Sequence, residues 1–295
     1  MDRDACLLVN PSAGGGKALR LLGDVEAELR RLGVTFRTEQ TTSLEHAAGL
    51  ADAAARQGEA VITLSGDGLI GHIVGALAAV PDALLGVLPG GRGNDFARVL
   101  GIPLEAVPAC RVLVDGAPRA LDIGDVDGRP FIGIASFGFD SVANKLANEG
   151  PRWLGSQVYT YAALRTLLGW KHATFKVEPE GAETQTVTGW SVAAANSKAY
   201  GGGMFVAPDA ELDDGLLDVV LSSKSSKLKF LSVLPKVFKG EHVNEDNVSV
   251  LRAPSVRVSA DRPFTVYADG DPIGELPVTI RAIPRALKVL CPPAS

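Results

Sequence analysis

Cysteine is scarce in this 295-residue chain, which contains three. Cys6, Cys110 and Cys291 are far apart and odd in number, so they form neither a disulfide framework nor a metal-ligand spacing. Cys6 and Cys291 lie in apolar runs, where cysteine behaves as a small core residue. The cysteine content therefore predicts a protein of a reducing compartment, the cytoplasm.

Long apolar runs and an excess of basic residues are also absent. No run reaches the ~18–20 uninterrupted apolar residues of a membrane-spanning helix. The first ten residues carry two acids and no extended apolar core, so we expect no signal peptide. The formal net charge of −5 gives no support to a nucleic-acid partner. Apolar and charged contents of 46% and 21% are ordinary for a globular enzyme.

The first hundred residues alternate between strand and helix patterns. Apolar segments such as CLLV, EAVITL and LLGVL alternate with amphipathic ones, of which residues 18–33 are the clearest. This βαβα order predicts a parallel sheet with helices packed on its faces. Polar and glycine-rich residues follow the strands at 10–16, 41–42, 65–68 and 89–94. Loops that follow parallel strands share one edge of the sheet, which is where ligands bind.

After about residue 120, strand patterns follow one another without regular helical crossovers. LDIGDV and PFIGIAS flank Asp127-Gly128, which is a strong hairpin signal. Helical patterns here are limited to residues 140–149, 153–170 and 225–239. We therefore predict a mainly antiparallel β domain in the second part of the chain, with a boundary near residues 115–121.

The segment Ser65-Gly66-Asp67-Gly68 lies where a strand pattern changes to a helix pattern. Glycines let the backbone approach a ligand closely, and a helix N-terminus offers free N–H groups to phosphate. A carboxylate repels phosphate, so Asp67 needs another role. It acts through Mg²⁺, accepts a proton from an attacking hydroxyl, or caps the helix that follows.

Two further glycine-rich turns are NPSAGGGKA at 10–18 and LPGGRGNDFAR at 88–98. Neither has the spacing of a Walker P-loop or of a dinucleotide fingerprint. Each alone could be a tight connection between a strand and a helix. Three such turns at one sheet edge predict a nucleotide-phosphate site.

These turns resemble those of the diacylglycerol kinase catalytic-domain family, the lipid kinases that include bacterial diacylglycerol kinase-like proteins, sphingosine kinases and ceramide kinases. NPSAGGGKA is similar to the family's N-P-x-x-G loop, SGDGL to its G-G-D-G-T loop, and LPGGRGNDFAR to its P-x-G-T-x-N-D-F-A-R segment. Residues 196–221 are the longest match. YADGDPIGE, at 267–275, is similar to the late D-G-E segment.

The resemblance implies an α/β fold in two domains. Residues 1–120 form an N-terminal three-layer α/β nucleotide-binding domain similar to those of phosphofructokinase and NAD kinase, and 282–295 return to it. Residues 121–281 form a mainly antiparallel β domain that holds the lipid substrate. The resemblance also implies ATP and Mg²⁺ as cofactors, a lipid substrate at the membrane surface, and a cytoplasmic protein peripheral to the membrane. It leaves a homodimer open.

The resemblance also assigns site residues by position. The residues that bind ATP are Asn10, Pro11, Ser12, Ala13, Gly14, Thr41, Gly66, Asp67, Gly68, Leu69, Ile70, Gly71, His72, Arg92, Gly93 and Asn94. Asp271 is the expected proton acceptor and Asp269 the fallback, with Asp67 at the point of phosphate transfer. Without the resemblance, Asp269-Gly270-Asp271 would be a surface turn.

A structural Mg²⁺ is implied at the ELDDGLLD loop. Its ligands would be the Asp214 side chain and the main-chain oxygens of Glu211 and Leu216. Hard cations prefer such oxygen ligands. The alternative is a turn without an ion.

Several positions depart from the family pattern. Leu69 replaces Thr, Gly71 replaces Asn, His72 replaces Glu, and Arg92 replaces Thr; Asp271 stands where the family has Glu. Arg92 could replace the lost hydroxyl contacts with a charge-assisted phosphate contact, and His72 could be an ordinary helix residue. A kinase of diacylglycerol or a related lipid is the leading hypothesis. The alternatives are a kinase of a sphingoid or soluble acceptor and a catalytically impaired nucleotide-binding regulatory protein.

Residues 222–240 contain five lysines and no acid, interleaved with apolar residues. This pattern is typical of a basic amphipathic element at a membrane interface. The alternative is a solvated helix packed by its apolar side. We expect Pro235 to kink or end a helix in this segment.

Overall fold

Four parallel strands form the first part of the sheet in this computed structural model, which describes residues 3–149 and 157–293. They are β1 (Ala5–Val9), β2 (Phe36–Gln40), β3 (Ala60–Ser65) and β4 (Leu84–Pro89), in the order β4-β3-β1-β2. The helices α1 (Lys17–Arg31), α2 (Leu44–Arg56) and α3 (Asp67–Ala78) connect them. β1, β3 and β4 are buried along their whole length, as expected of a parallel sheet covered on both faces.

A run of short elements leads to the second part of the chain. The helices α4 (Asp95–Val99), α5 (Ala106–Ala109) and α6 (Val112–Asp115) precede the hairpin of β5 (Ala117–Val126) and β6 (Arg129–Phe131). Asp127 and Gly128 form the hairpin turn with φ of 48° and 87°. Both values lie in the left-handed region that two-residue hairpin turns require. The predicted hairpin is confirmed.

The second part is antiparallel, as predicted. Its strands are β7 (Ile134–Gly138), β8 (Ala173–Pro179), β9 (Gln185–Ala195), β10 (Leu217–Ser223), β11 (Val248–Ala253), β12 (Ser255–Ala260), β13 (Thr265–Ala268) and β14 (Asp271–Glu275). Every ladder between these strands is antiparallel. Phe137, Phe175 and Val192 are fully buried in the core of this part.

Three helices and a 3₁₀ turn accompany these strands. They are α7 (Phe139–Asn148), α8 (Gln157–Gly169), α9 (Lys227–Val237) and the 3₁₀ turn Glu241–Asn244. The three predicted helices are present, although residues 153–156 of the second prediction lie outside the described residues. Pro235 does not end α9, because the helix continues to Val237. Only two residues follow Pro235, so its missing N–H affects one bond of the last turn.

One long strand joins the two parts of the sheet. β15 (Val278–Cys291) pairs antiparallel with β12 at its start and with β5 along much of its length. Near its end, Lys288 and Val289 pair in parallel with β4. This pairing connects the last strand to the parallel strands, while the domain limits at residues 120 and 281 and the assignment of 282–295 to the first domain stay predictions. None of the helices in the described ranges is long and apolar enough to span a bilayer.

Candidate active site

The three glycine-rich turns are in contact at the carboxyl edge of the parallel strands. A Cβ atom on Gly14 would lie 2.6 Å from the carbonyl oxygen of Gly90, and one on Gly66 would lie 3.1 Å from the Cα of Gly91. Gly14 also has a φ of 60°. Only glycine permits both this backbone conformation and this approach of main chain to main chain. The sequence spacing thus brings three loops to one point.

Asp67 connects two of these turns. Its carboxylate accepts hydrogen bonds from the backbone N–H groups of Asp95 and Phe96, each at 3.0 Å. It therefore caps α4, which begins 28 residues later, rather than the helix that directly follows it. Burial raises the pKa of Asp67, and these two hydrogen bonds partly oppose that effect.

Asp95 extends the connection to the second part of the chain. Its Oδ2 accepts a 2.6 Å hydrogen bond from the N–H of Gly202. Its Oδ1 is buried without a hydrogen-bond partner among the described residues, 3.6 Å from Nε of Arg98. Sequence reasoning missed Asp95 as a site residue, although it lies inside the LPGGRGNDFAR motif.

Asp269 lies beside the start of α3. Its two carboxylate oxygens accept the backbone N–H groups of Ile132 and Gly133 at 2.8 and 2.9 Å. Burial raises its pKa to about 6, and the negative charge of Asp67 adds to the shift. A Cβ atom on Gly71 would lie 3.0 Å from Oδ2 of Asp269. The glycine at position 71 thus leaves room for this carboxylate.

Asp271 is more accessible than the other two acids. It begins β14, its side chain is 52% exposed, and its Oδ2 lies 3.8 Å from Nδ1 of His72. The same Nδ1 lies 3.0 Å from the carbonyl oxygen of Gly68, so the ring N–H donates to that carbonyl. The structure therefore places the expected proton acceptor beside the first turns of α3.

Most polar side chains of the predicted nucleotide site hold the shape of its loops. The Asn10 side chain accepts the N–H of Ser12 at 3.1 Å, and the Thr41 hydroxyl donates to the carbonyl of Val9 at 3.3 Å. Asn94 accepts the N–H of Gly91 at 2.9 Å. These side chains therefore stabilise the conformation of the loops.

Three other predicted contacts differ in accessibility. Leu69 and Ile70 have side chains that are 2% exposed and packed in the core, so only their main-chain groups can face a ligand. The replacement of Thr by Leu at position 69 therefore fills core volume. Arg92 is exposed, and its Nη2 lies 3.7 Å from the Cβ position of Gly15.

Comparison with known proteins identifies the family. Residues 4–126 match the model of the diacylglycerol kinase catalytic domain, and residues 133–291 match that of the YegS C-terminal NAD kinase beta sandwich-like domain. A diacylglycerol kinase of Mycobacterium tuberculosis is 36% identical over 294 residues, which cover 97% of this chain and 94% of that protein. This chain belongs to the diacylglycerol kinase family of lipid kinases. The resemblance found in the loops and the two-domain α/β fold are both confirmed.

Further members of this lipid kinase family are similar to this chain over nearly its whole length. A diacylglycerol kinase of Bacillus subtilis is 30% identical over 293 residues, covering 98% of this chain and 96% of that protein. A crystal structure of a diacylglycerol kinase from Bacillus anthracis has a TM-score of 0.76 at 20% identity, covering 99% of this chain and 97% of that one. The structural likeness shows a shared fold.

In this family member, the side chain of Arg252 on β11 contacts the loop where a structural Mg²⁺ was expected. Oδ2 of Asp214 pairs with Nη2 of Arg252 at 2.5 Å, and Oδ1 accepts the N–H of Leu216 at 3.0 Å. The described part of the chain contains no group of three His, Cys, Asp or Glu side chains that could hold a metal. The ligand set of Glu211, Asp214 and Leu216 and the ion-free turn both stay predictions.

Asn196 is a second residue that sequence reasoning missed in this lipid kinase fold. It is fully buried, and its Nδ2 donates to the carbonyls of Asp122 and Ile132 at 3.1 and 3.0 Å. Its backbone N–H donates to the carbonyl of Gly133 at 3.0 Å. Asn196 therefore stabilises the turn at Ile132 and Gly133, whose N–H groups bind the Asp269 carboxylate. The only sequence signal was its place at the start of the longest family match.

Proposed function

We propose that this chain is an ATP- and Mg²⁺-dependent kinase that transfers the γ-phosphate to a hydroxyl of diacylglycerol or a related lipid. The observation that carries the proposal is the meeting of three glycine-rich turns around Asp67, with Asp269 beside it. Main-chain N–H groups of such turns and the N-terminus of α3 form a seat for phosphates. Two relatives named diacylglycerol kinase, at 36% and 30% identity, support the choice of acceptor.

The acids of the site fit a magnesium ion. Asp67 and Asp269 are close enough for the charge of one to raise the pKa of the other. A hard cation would relieve this repulsion, and Mg²⁺ commonly binds through one or two carboxylates, phosphate oxygens and water. We assign Asp67 and Asp269 to hold it. When bound, Mg²⁺ supplies positive charge beside the transferring phosphate.

Asp271 is our candidate for the proton acceptor. Its carboxylate is half exposed, so it can approach a substrate hydroxyl. The hydroxyl oxygen forms a bond to the γ-phosphorus while its proton passes to Asp271, and the bond from that phosphorus to the β–γ bridging oxygen breaks, so that ADP leaves. The main-chain N–H groups of the glycine turns hold the charge that develops on the phosphate oxygens.

The test is transfer of labelled γ-phosphate to diacylglycerol in mixed micelles, with a sphingoid base as a second acceptor. Asp271→Asn should lower kcat at least about 100-fold, the usual contribution of general-base catalysis, without changing the Kd for ATP. Asp246→Asn replaces another exposed acid and should keep the wild-type rate.

Three results would contradict the proposal at different levels. A wild-type rate in Asp271→Asn would remove the proton-acceptor assignment. Phosphorylation of the sphingoid base alone would change the acceptor. ATP binding without transfer to either lipid would replace the kinase with a nucleotide-binding regulatory protein.

A further inference from the structure

The helix α9 has two apolar faces, of which one is buried and one is exposed. On the buried face Val233 is 8% exposed, and the ring of Phe230 stacks on Trp190 with centroids 4.1 Å apart. The opposite face carries Leu228, Leu231, Pro235 and Phe238, whose spacing of three and four residues places them on one side. Leu228 is 80% exposed and Phe238 is 54% exposed. Packing of one apolar face therefore leaves the second in solvent.

A similar stripe lies on α8. Tyr161, Leu164 and Leu168 are spaced by three and four residues, and Leu168 is 80% exposed. Nζ of Lys227 donates to the carbonyl of Leu168 at 2.8 Å, which joins the end of α8 to the start of α9. Of the ten exposed large apolar side chains in the described part of the chain, six lie in these two stripes. The two stripes thus meet near Leu168 and Leu228.

Unpaired lysines accompany these stripes. Lys229 and Lys236 both pair with the single carboxylate of Glu245. By contrast, Lys171, Lys224 and Lys239 are exposed and have no acidic partner within residues 3–149 and 157–293. The net charge of the whole chain is −5, so this local positive charge opposes the overall balance. Large apolar patches with a polar border mark interaction sites.

We propose that this docking surface, formed by Leu164, Leu168, Leu228, Leu231 and Phe238 with the three unpaired lysines, binds the anionic face of a lipid bilayer. Apolar side chains enter the boundary between headgroups and acyl chains, and lysines are attracted to acidic headgroups. The proposal extends the proposed function, because a lipid acceptor lies in a bilayer.

Charge favours the bilayer over a second copy of the chain. A symmetric dimer through this surface would bring the same patch of each copy together. The three unpaired lysines of one copy would then be brought towards the same three lysines of the other. An anionic bilayer offers the opposite charge over the whole surface.

The experiment measures cosedimentation of the full chain with vesicles of phosphatidylcholine and phosphatidylglycerol, without nucleotide or diacylglycerol. The double variant Leu168→Ser, Leu228→Ser should lower the partition coefficient at least tenfold. The double variant Leu19→Ser, Leu104→Ser removes two leucines that are 45% and 37% exposed elsewhere, and should bind like the wild type. Circular dichroism checks that each variant is folded.

A charge variant separates the two contributions. Lys171→Gln, Lys224→Gln, Lys239→Gln leaves the Lys227 contact intact and should lose most of the binding to phosphatidylglycerol vesicles. It should match the wild type on vesicles of phosphatidylcholine alone. Equal losses on both kinds of vesicle would contradict the assignment of the lysines to acidic headgroups.

Wild-type vesicle binding by the Leu168, Leu228 double variant would overturn the proposal. A dimer that dissociates in the double variant while vesicle binding stays unchanged would also overturn it, because the surface would then be a subunit interface. The measurement needs no phosphate transfer, so failure of the kinase proposal leaves it interpretable. Transfer to a short-chain, monomerically dispersed diacylglycerol should be unchanged in the double variant.

Discussion

Replacement of Asp269 by Asn should change how the free energy of unfolding depends on pH. Burial, with help from the charge of Asp67, raises the pKa of Asp269 to about 6 in the folded protein, from an ordinary value of 3.8. A raised pKa means that folding favours the protonated form. Its stabilising contribution is therefore complete below about pH 4 and is lost as the pH rises through about 6. Asn does not titrate, so the variant lacks this dependence.

The size of the effect follows from the shift. About two pKa units at about 1.4 kcal/mol each correspond to about 3 kcal/mol in full. Between pH 5 and pH 7.5 the wild type should lose about 1.4 kcal/mol of this contribution. Asn keeps one acceptor oxygen for the two N–H groups of Ile132 and Gly133, which costs the variant about 1–3 kcal/mol at every pH. The variant's deficit should therefore shrink by about 1.4 kcal/mol between pH 5 and pH 7.5.

Urea unfolding followed by far-ultraviolet circular dichroism measures this difference across that range. Glu245→Gln is the control, because hydrogen bonds from Lys229 and Lys236 lower the pKa of Glu245 to about 2. That carboxylate is ionised throughout the window, so the difference between this variant and the wild type should stay constant. A deficit for Asp269→Asn that is constant from pH 5 to 7.5, or grows, would refute the reasoning.

Two further substitutions test the geometry of the turns by thermal and urea unfolding. Gly14→Ala and Gly58→Ala both place alanine at positive φ, but only the Cβ at position 14 meets a nearby carbonyl. Gly14→Ala should therefore lower the free energy of unfolding by about 1–3 kcal/mol more than Gly58→Ala. Equal losses of stability would contradict the close contact. Asp67→Ala should destabilise the fold by about 2–4 kcal/mol, because two buried N–H groups of α4 lose their acceptor. Asp246→Ala, at an exposed site, is its control, and equal effects would contradict the capping role.

The alternation of strands and helices and the meeting of the loops could be predicted from the sequence because both depend on local patterns. The alternation of strand and helix patterns predicted the parallel sheet, and the dipeptide Asp127-Gly128 predicted the hairpin. The catalytic roles of the site residues, in contrast, were assigned by resemblance and remain predictions.

Long-range contacts of the site could not be predicted. Asp67 was considered as a cap of its own helix, but its N–H partners lie 28 residues away and are brought close by tertiary packing. Gly71, where the family pattern has Asn, leaves room for the Asp269 carboxylate, which is distant in sequence. The strand β11 was not predicted, because most of its side chains are partly exposed and give a weak period. Its Arg252 reaches Asp214 only because β10 and β11 pair.

The path of β15 restricts how the two parts of the molecule can move. The chain passes from one part to the other along β5 and returns along β15, so two paired strands connect them. The ladder between these strands is interrupted between Ile283 and Leu287, where Arg285 has a φ of 52°. Because two paired strands connect the parts, rather than one flexible segment, the two parts can move relative to each other in few directions.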